Sequence, residues 1–234
     1  MKKFIITILL ITTGVVARSQ DSTTVTQDKR PAIYWLFHNN YNLAMRYNDV
    51  AAAKDALYSL INIDPQNDSL RSNLAYLYFD NKQYPSTILA CMDILANNPK
   101  HTPSLEMSAI SYEELGLDEK AMNYYEKLYL ITDNLETLYK LAYLQYKLKR
   151  YEESKVNLDI LFKSPDLDNK KMIFQLSKIE QKEFPLRVAA VNLRGLVKQV
   201  QGDKEGARED FNKALELAPD FIFAKNSLEQ LDKN

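Results

Sequence analysis

Apolar residues recur at helical spacing along most of the chain, in paired runs separated by short polar turns. Trp35, Phe37, Tyr41, Ala44 and Met45 mark one run, Asn48-Asp49 form a turn, and Ala53, Leu57, Leu60 and Ile61 mark a second run that Asp64-Pro65 closes. Spacings of three and four residues give a helix one apolar face. Proline ends the helix because it has no amide hydrogen to donate and disfavours helical geometry in the residue before it. The two runs predict a helical hairpin.

The pattern then repeats. Leu74, Ala75 and Tyr78, a turn at Asn81-Lys82-Gln83, and Tyr84, Thr87, Cys91 and Ile94 lead to Pro99, which stands 34 residues after Pro65. A third unit runs through Leu105, Ala109, Tyr112, Gly116, Ala121, Tyr125 and Leu128, and a fourth through Leu138, Leu141, Ala142, Tyr151, Ser154, Leu158 and Leu161. A period of this length marks a solenoid, in which each hairpin hides its apolar face only against its neighbours.

The last unit is the clearest: Asn192-Leu193-Arg194-Gly195, Gly202-Asp203, Ala207, Phe211, Ala214 and Ala218-Pro219. These residues resemble the tetratricopeptide repeat (TPR) family, over roughly residues 32–168 and 188–220. The resemblance implies an all-α, right-handed solenoid of about five helix hairpins, with Phe221 to Leu231 as a terminal capping helix. It places small residues at Gly195, Ala207 and Ala214 where two helices touch, with Tyr125 and Phe211 filling the adjoining large position, so that small and large alternate as close packing requires. The first four units lack the family's frequent early tryptophan.

Residues 169–187 do not fit the period. Lys171 to Leu176 alternate as a strand does, Ser177 to Gln181 make a turn, and Lys182 to Leu186 return. The rival is a helix beginning after Asp168 with Ile173, Leu176 and Ile179 on one face. The hairpin is favoured, because bacterial proteins resembling this one often interrupt the array with an extended insertion.

In TPR proteins the first helix of each repeat lines a concave groove. The register puts Asn42, Asn73, Tyr76, Phe79, Tyr139, Lys140, Tyr143 and Tyr146 there, together with His38, Glu106, Ile110 and Lys147. Tyrosine offers large contact area at low entropic cost and a polar tip, which suits recognition. Tyr139, Tyr143 and Tyr146 are not expected to share one face, and recognition and packing stand even for them. Members that clamp carboxylate tails use cations beside two asparagines. Here Asn42 and Asn73 agree, but His38, Pro103 and Met107 occupy the cation positions, and neutral amides alone do not supply charge-assisted bonds to a carboxylate.

The amino terminus changes the picture of destination. Lys2-Lys3, an apolar run from Phe4 to Ile11 continuing through Val15-Val16, and Ala17-Arg18-Ser19 have the layout of a secretory signal, with cleavage expected between Ser19 and Gln20. A membrane anchor needs about 20 apolar residues, and Thr7, Thr12, Thr13 and Arg18 leave this run too short and too polar. No cysteine lies near the cut to accept a lipid. Cleavage removes three of the 30 basic residues, leaving 27 against 31 acidic ones. That balance argues against nucleic acid, whose binding rests on clustered Lys and Arg. Cys91 is the only cysteine, so packing must supply stability that an internal disulfide cannot.

Candidate chemistry is sparse. The five glycines fall in the leader, two turns, a helix contact and a helix start, leaving none for a phosphate loop. His38 and His101 lie in different repeats without the neighbours a metal site needs. Cys91 reads as a buried structural thiol. The pairs Glu113-Glu114 and Glu152-Glu153 diverge by about 100° on a helix and read as solvated faces. Asp166-Leu167-Asp168 lacks the glycine and distal glutamate of a calcium loop.

The expected organisation is a signal peptide at 1–19, a linker at 20–31, four repeats over 32–168, the insertion at 169–187, and a fifth repeat with its cap over 188–234. The expected function is an exported, periplasmic or secreted, non-catalytic scaffold without cofactor, holding a protein or peptide in its groove or at the insertion. A self-associating component of an envelope assembly is the alternative.

Overall fold

The computed structural model describes residues 30–177 and 179–233; the expected signal peptide and most of the linker lie outside the described residues. Five helix pairs follow one another: α1 (Ala32–Arg46) and α2 (Val50–Ile63), α3 (Asp68–Asp80) and α4 (Tyr84–Asn97), α5 (Thr102–Glu114) and α6 (Asp118–Thr132), α7 (Leu135–Lys147) and α8 (Tyr151–Lys163), and α9 (Leu186–Val200) and α10 (Lys204–Leu217). A single helix, α11 (Ile222–Lys233), closes the array, and each helix packs against the next in the chain. No helix among the described residues is long and apolar enough to cross a membrane.

The small-residue seam is present. Ala53, Ala121 and Ala207 are fully buried, and Tyr125 and Phe211 fill the adjoining large position. Ser154 takes the alanine's place in the fourth pair, and its hydroxyl donates to the Ala142 carbonyl at 2.8 Å, so the seam tolerates the extra oxygen.

Each pair turns through one residue in the left-handed region. Asn48, Lys82, Gly116, Lys149 and Gly202 all have positive φ, and the first three steps between them are 34, 34 and 33 residues. The last step is 53 residues, longer than a repeat by the 19 residues of 169–187. Helix starts are capped where an acceptor is available: Asp49, Asn67, Asn134 and Asp203 each accept an amide of the first turn.

The insertion is the expected hairpin, and the rival helix does not form. After a short 3-10 turn (Leu167–Asn169), β1 (Lys171–Gln175) pairs antiparallel with β2 (Gln181–Pro185), with Met172 opposite Phe184 and Phe174 opposite Lys182. Alternation decides the matter, because Met172, Phe174 and Phe184 pack on the core while Ile173 stays exposed. The insertion leaves and rejoins the solenoid at one point: the Leu186 amide donates to the Lys170 carbonyl at 2.8 Å, and the Arg187 guanidinium grips both oxygens of Asp168. The repeats on either side therefore keep their register.

A ring cluster fastens the hairpin to the end of the solenoid. Phe184 and Phe221 meet at 4.9 Å between centroids, Phe221 and Phe223 at 5.2 Å, and Phe174 touches both Phe221 and Phe223. These rings belong to the largest core cluster, which joins α7, α8, the hairpin, α9, α10 and α11. Lys182 of β2 also pairs with Asp220, just before α11.

Candidate functional site: the concave cavity

The hairpin turns part of the open concave side into a cavity of about 620 Å³. Its walls come from the first helices of the last two pairs and from the closing helix: Tyr139, Tyr143 and Tyr146 from α7, Asn192 and Leu196 from α9, and Phe223 with Asn226 from α11. Phe174 and Met172 of β1 close it.

All three tyrosines line this one cavity, which corrects the expectation that they could not share a face. Their spacing of four and then three residues is one helical stripe. They divide the work. Tyr139 is buried and sets its edge against Phe174 at 6.3 Å, so it packs. Burial pushes its phenol above the ordinary range, helped by Tyr143 beside it. Tyr143 and Tyr146 are only half-buried and present surface to the space.

Lys140 reaches the same lining but is not a bare cation. Its ammonium lies 3.1 and 3.3 Å from the two oxygens of Glu113 on α5, and the Tyr125 hydroxyl donates to the same carboxylate at 2.9 Å. Glu113 was expected on a solvated face. Instead it is half-buried and ties the third pair to the fourth, because the next first helix brings Lys140 across the seam. Burial pushes the Tyr125 phenol upward, and the Glu113 charge adds to the shift.

Asn192 escaped the reading of the sequence. It is 6% exposed, and its Oδ1 has no hydrogen-bond partner among the described residues although it lines the cavity. A buried amide oxygen left unmatched costs free energy. The signal was available: Asn192 is the one polar residue in Val188-Ala189-Ala190-Val191-Asn192-Leu193. Phe221 and Phe223 were assigned only to a cap, and their part in the cavity depends on where the hairpin lands.

The remaining groove residues lie outside this cavity. Asn42 is exposed and its amide lies 3.2 Å from the His38 Nδ1, Asn73 is half-buried, and Tyr76 is exposed. Phe79 sets its edge on Tyr84 at 6.3 Å. At the three cation positions of a carboxylate clamp, His38 stacks on Tyr34, Pro103 sits in the first turn of α5, and Met107 is buried. Cys91 is fully buried in the second pair, and burial raises its thiol. Among the described residues no group of three or more His, Cys, Asp or Glu side chains converges to hold a metal.

Two family models described as tetratricopeptide repeat match residues 136–166 and 188–221. No curated protein matches the chain. Among solved structures it is similar to a tetratricopeptide repeat protein from Parabacteroides merdae ATCC 43184, with 19% identity over 85% of this chain and 72% of that one and a TM-score of 0.65. It is also similar to YrrB, described as a TPR protein with an unusual peptide-binding site, at 14% identity over 88% and 95% of the two chains with a TM-score of 0.66. A third neighbour is MamA, at 13% identity over 78% and 90% with a TM-score of 0.60. Helix pairs at a 34-residue step, the alanine seam and these matches together give the chain the tetratricopeptide repeat fold, with family-model repeats over residues 136–166 and 188–221.

Proposed function

We propose that this protein is an exported, non-catalytic scaffold whose concave face holds a protein or peptide partner, with the main anchor in the cavity beneath the hairpin. The observation that carries this reading is the cavity itself, where the half-buried Tyr143 and Tyr146 present ring surface beside Phe174 and Phe223, with Lys140, Gln175 and Asn226 supplying polar groups in the same lining and Asn192 behind them. An apolar or aromatic side chain would fill the space, and the polar groups of the lining would orient it. The TPR fold supports an interaction scaffold, and the peptide-binding site named for YrrB shows that a neighbour of similar fold takes such a ligand. Preorganised helices spend little entropy on ordering, so a few anchors suffice.

The test compares two double variants for capture of the crosslinked partner from the cell envelope. Tyr143→Ala with Phe223→Ala should lose most capture at unchanged helicity, whereas Tyr76→Ala with Phe79→Ala should lose less. Intact capture by the first pair rejects the cavity. Export is tested separately by sequencing the mature amino terminus, for which Gln20 is the expected first residue.

Self-association is the second reading, and the first helix favours it. Ile33, Leu36, Leu43 and Tyr47 of the α1 region are 47%, 53%, 54% and 72% exposed at the open end of the solenoid. Light scattering over a concentration series separates the two, since a monomer that still captures the partner leaves α1 outside the function.

A further inference from the structure

The hairpin has one closed edge and one open edge. Hydrogen bonds from the Leu186 amide to the Lys170 carbonyl and from the Leu176 amide to the Glu180 carbonyl fix the phase of the ladder. In an antiparallel pair the bonded positions alternate, so the backbone groups of Lys171, Ile173 and Gln175 point away from β2. On β2 the outward positions are Gln181, Glu183 and Pro185. Pro185 has no N–H to offer, and Lys182 fastens that strand to Asp220, so β2 is the blunted side. On β1, the Lys171 ammonium is drawn back across the hairpin to Glu183 at 3.1 Å, and Ile173 is 66% exposed.

A second hollow meets the hairpin at Met172 of β1. This trough of about 550 Å³ shares Glu113, Lys140 and Met172 with the aromatic cavity, which Ile173 and Gln175 of the open edge also line. Its carboxylates are Glu106, Glu113, Glu114 and Glu136. Two ammonium groups answer these four: Lys140 at 3.1 Å from Glu113, and Lys170 at 3.7 Å from Glu136. Glu136 Oε2 is buried and has no hydrogen-bond partner among the described residues.

Resting on the reading that the concave face holds a partner, we propose that an extended, lysine- or arginine-bearing segment of that partner joins the hairpin as a third strand along β1. Main-chain bonds to Ile173 and Gln175 would fix its register. Alternate side chains would then point down into the acidic trough, where basic residues match the excess of carboxylates.

The probe is a fluorescein-labelled octapeptide of alternating lysine and valine, with its glutamate-valine counterpart as control. Binding to the purified protein is followed by fluorescence polarisation, and amide hydrogen exchange is read with and without peptide. The proposal expects the lysine peptide to bind, the glutamate peptide not to bind, and exchange at the Ile173 and Gln175 amides to slow at least tenfold. Ile173→Pro, which removes one outward N–H from the open edge, should weaken binding at least tenfold, and the exchange result on the unmutated protein stands whether or not that variant keeps its hairpin. Failure of the lysine peptide to bind, or binding without slowed exchange at those two amides, overturns the strand-pairing proposal. Neither result touches the aromatic anchor, which the Tyr143 and Phe223 variants judge independently.

Discussion

A β-carbon placed on Gly195 would lie 2.6 Å from Cε1 of Phe211 and 3.2 Å from Cβ of Asp210. The α9–α10 contact is therefore set by the absence of a side chain at Gly195, against a ring that is itself fully buried. Alanine favours a helix by about 1 kcal/mol over glycine, but overpacking costs about 1–3 kcal/mol, and Phe211 has no room to withdraw. Gly195→Ala is expected to lower stability by about 1 kcal/mol in urea unfolding, the overpacking cost outweighing its higher intrinsic helix propensity.

Asn192→Leu should separate stability from function. Leucine keeps the same branched shape and number of heavy atoms and removes the unmatched Oδ1, and the cavity beside it leaves room for its bulkier methyls, so unfolding free energy should rise by about 1 kcal/mol while partner capture falls. Denaturation and capture measured on the same preparation check both halves.

The left-handed turns offer a second stabilising change. Lys149 has φ +62° where Gly116 and Gly202 occupy the matching turns of other pairs. A non-glycine residue there costs about 1 kcal/mol, so Lys149→Gly should raise the melting temperature, and Lys82→Gly should do the same in the second pair.

Alkaline pH should loosen the solenoid before it affects helix propensity. Burial raises the phenols of Tyr125 and Tyr139, and Tyr78 is pushed up to about 12 by burial and by its hydrogen bond with Tyr58. An unfolded tyrosine ionises near pH 10, so the folded state holds these protons more tightly. The stability this contributes is full below about pH 10 and is lost as pH climbs through the folded values. Melting temperature should fall steeply above pH 10, and Tyr139→Phe should make that fall shallower.

Much of this architecture was legible because it is local. Pro65, Pro99 and Pro219 punctuate the helices, and Ala53, Ala121 and Ala207 announce the seam, since each acts within its own hairpin or on the next. The run Lys171 to Leu176 and its return from Lys182 to Leu186 suggested the strands, although the exposed residue between Met172 and Phe174 is the apolar Ile173. Which face those strands would cover was not legible, because it depends on Phe184 meeting Phe221, 37 positions further along the chain. For the same reason Phe223 looked like a capping residue and Glu113 like a solvated one. Asn192 could have been singled out as a lone amide in an apolar run, but its missing partner is a fact of three dimensions.

Site-specific photocrosslinking from within the cell envelope tests the central claim most directly. A benzoyl-phenylalanine in place of Tyr143, at the cavity, is compared with one in place of Val156, which is 58% exposed on α8. The account predicts one discrete adduct from position 143, lost when Asn192→Leu is added, and none from position 156. An adduct from position 156 alone, or one from position 143 that is indifferent to Asn192→Leu, would contradict it.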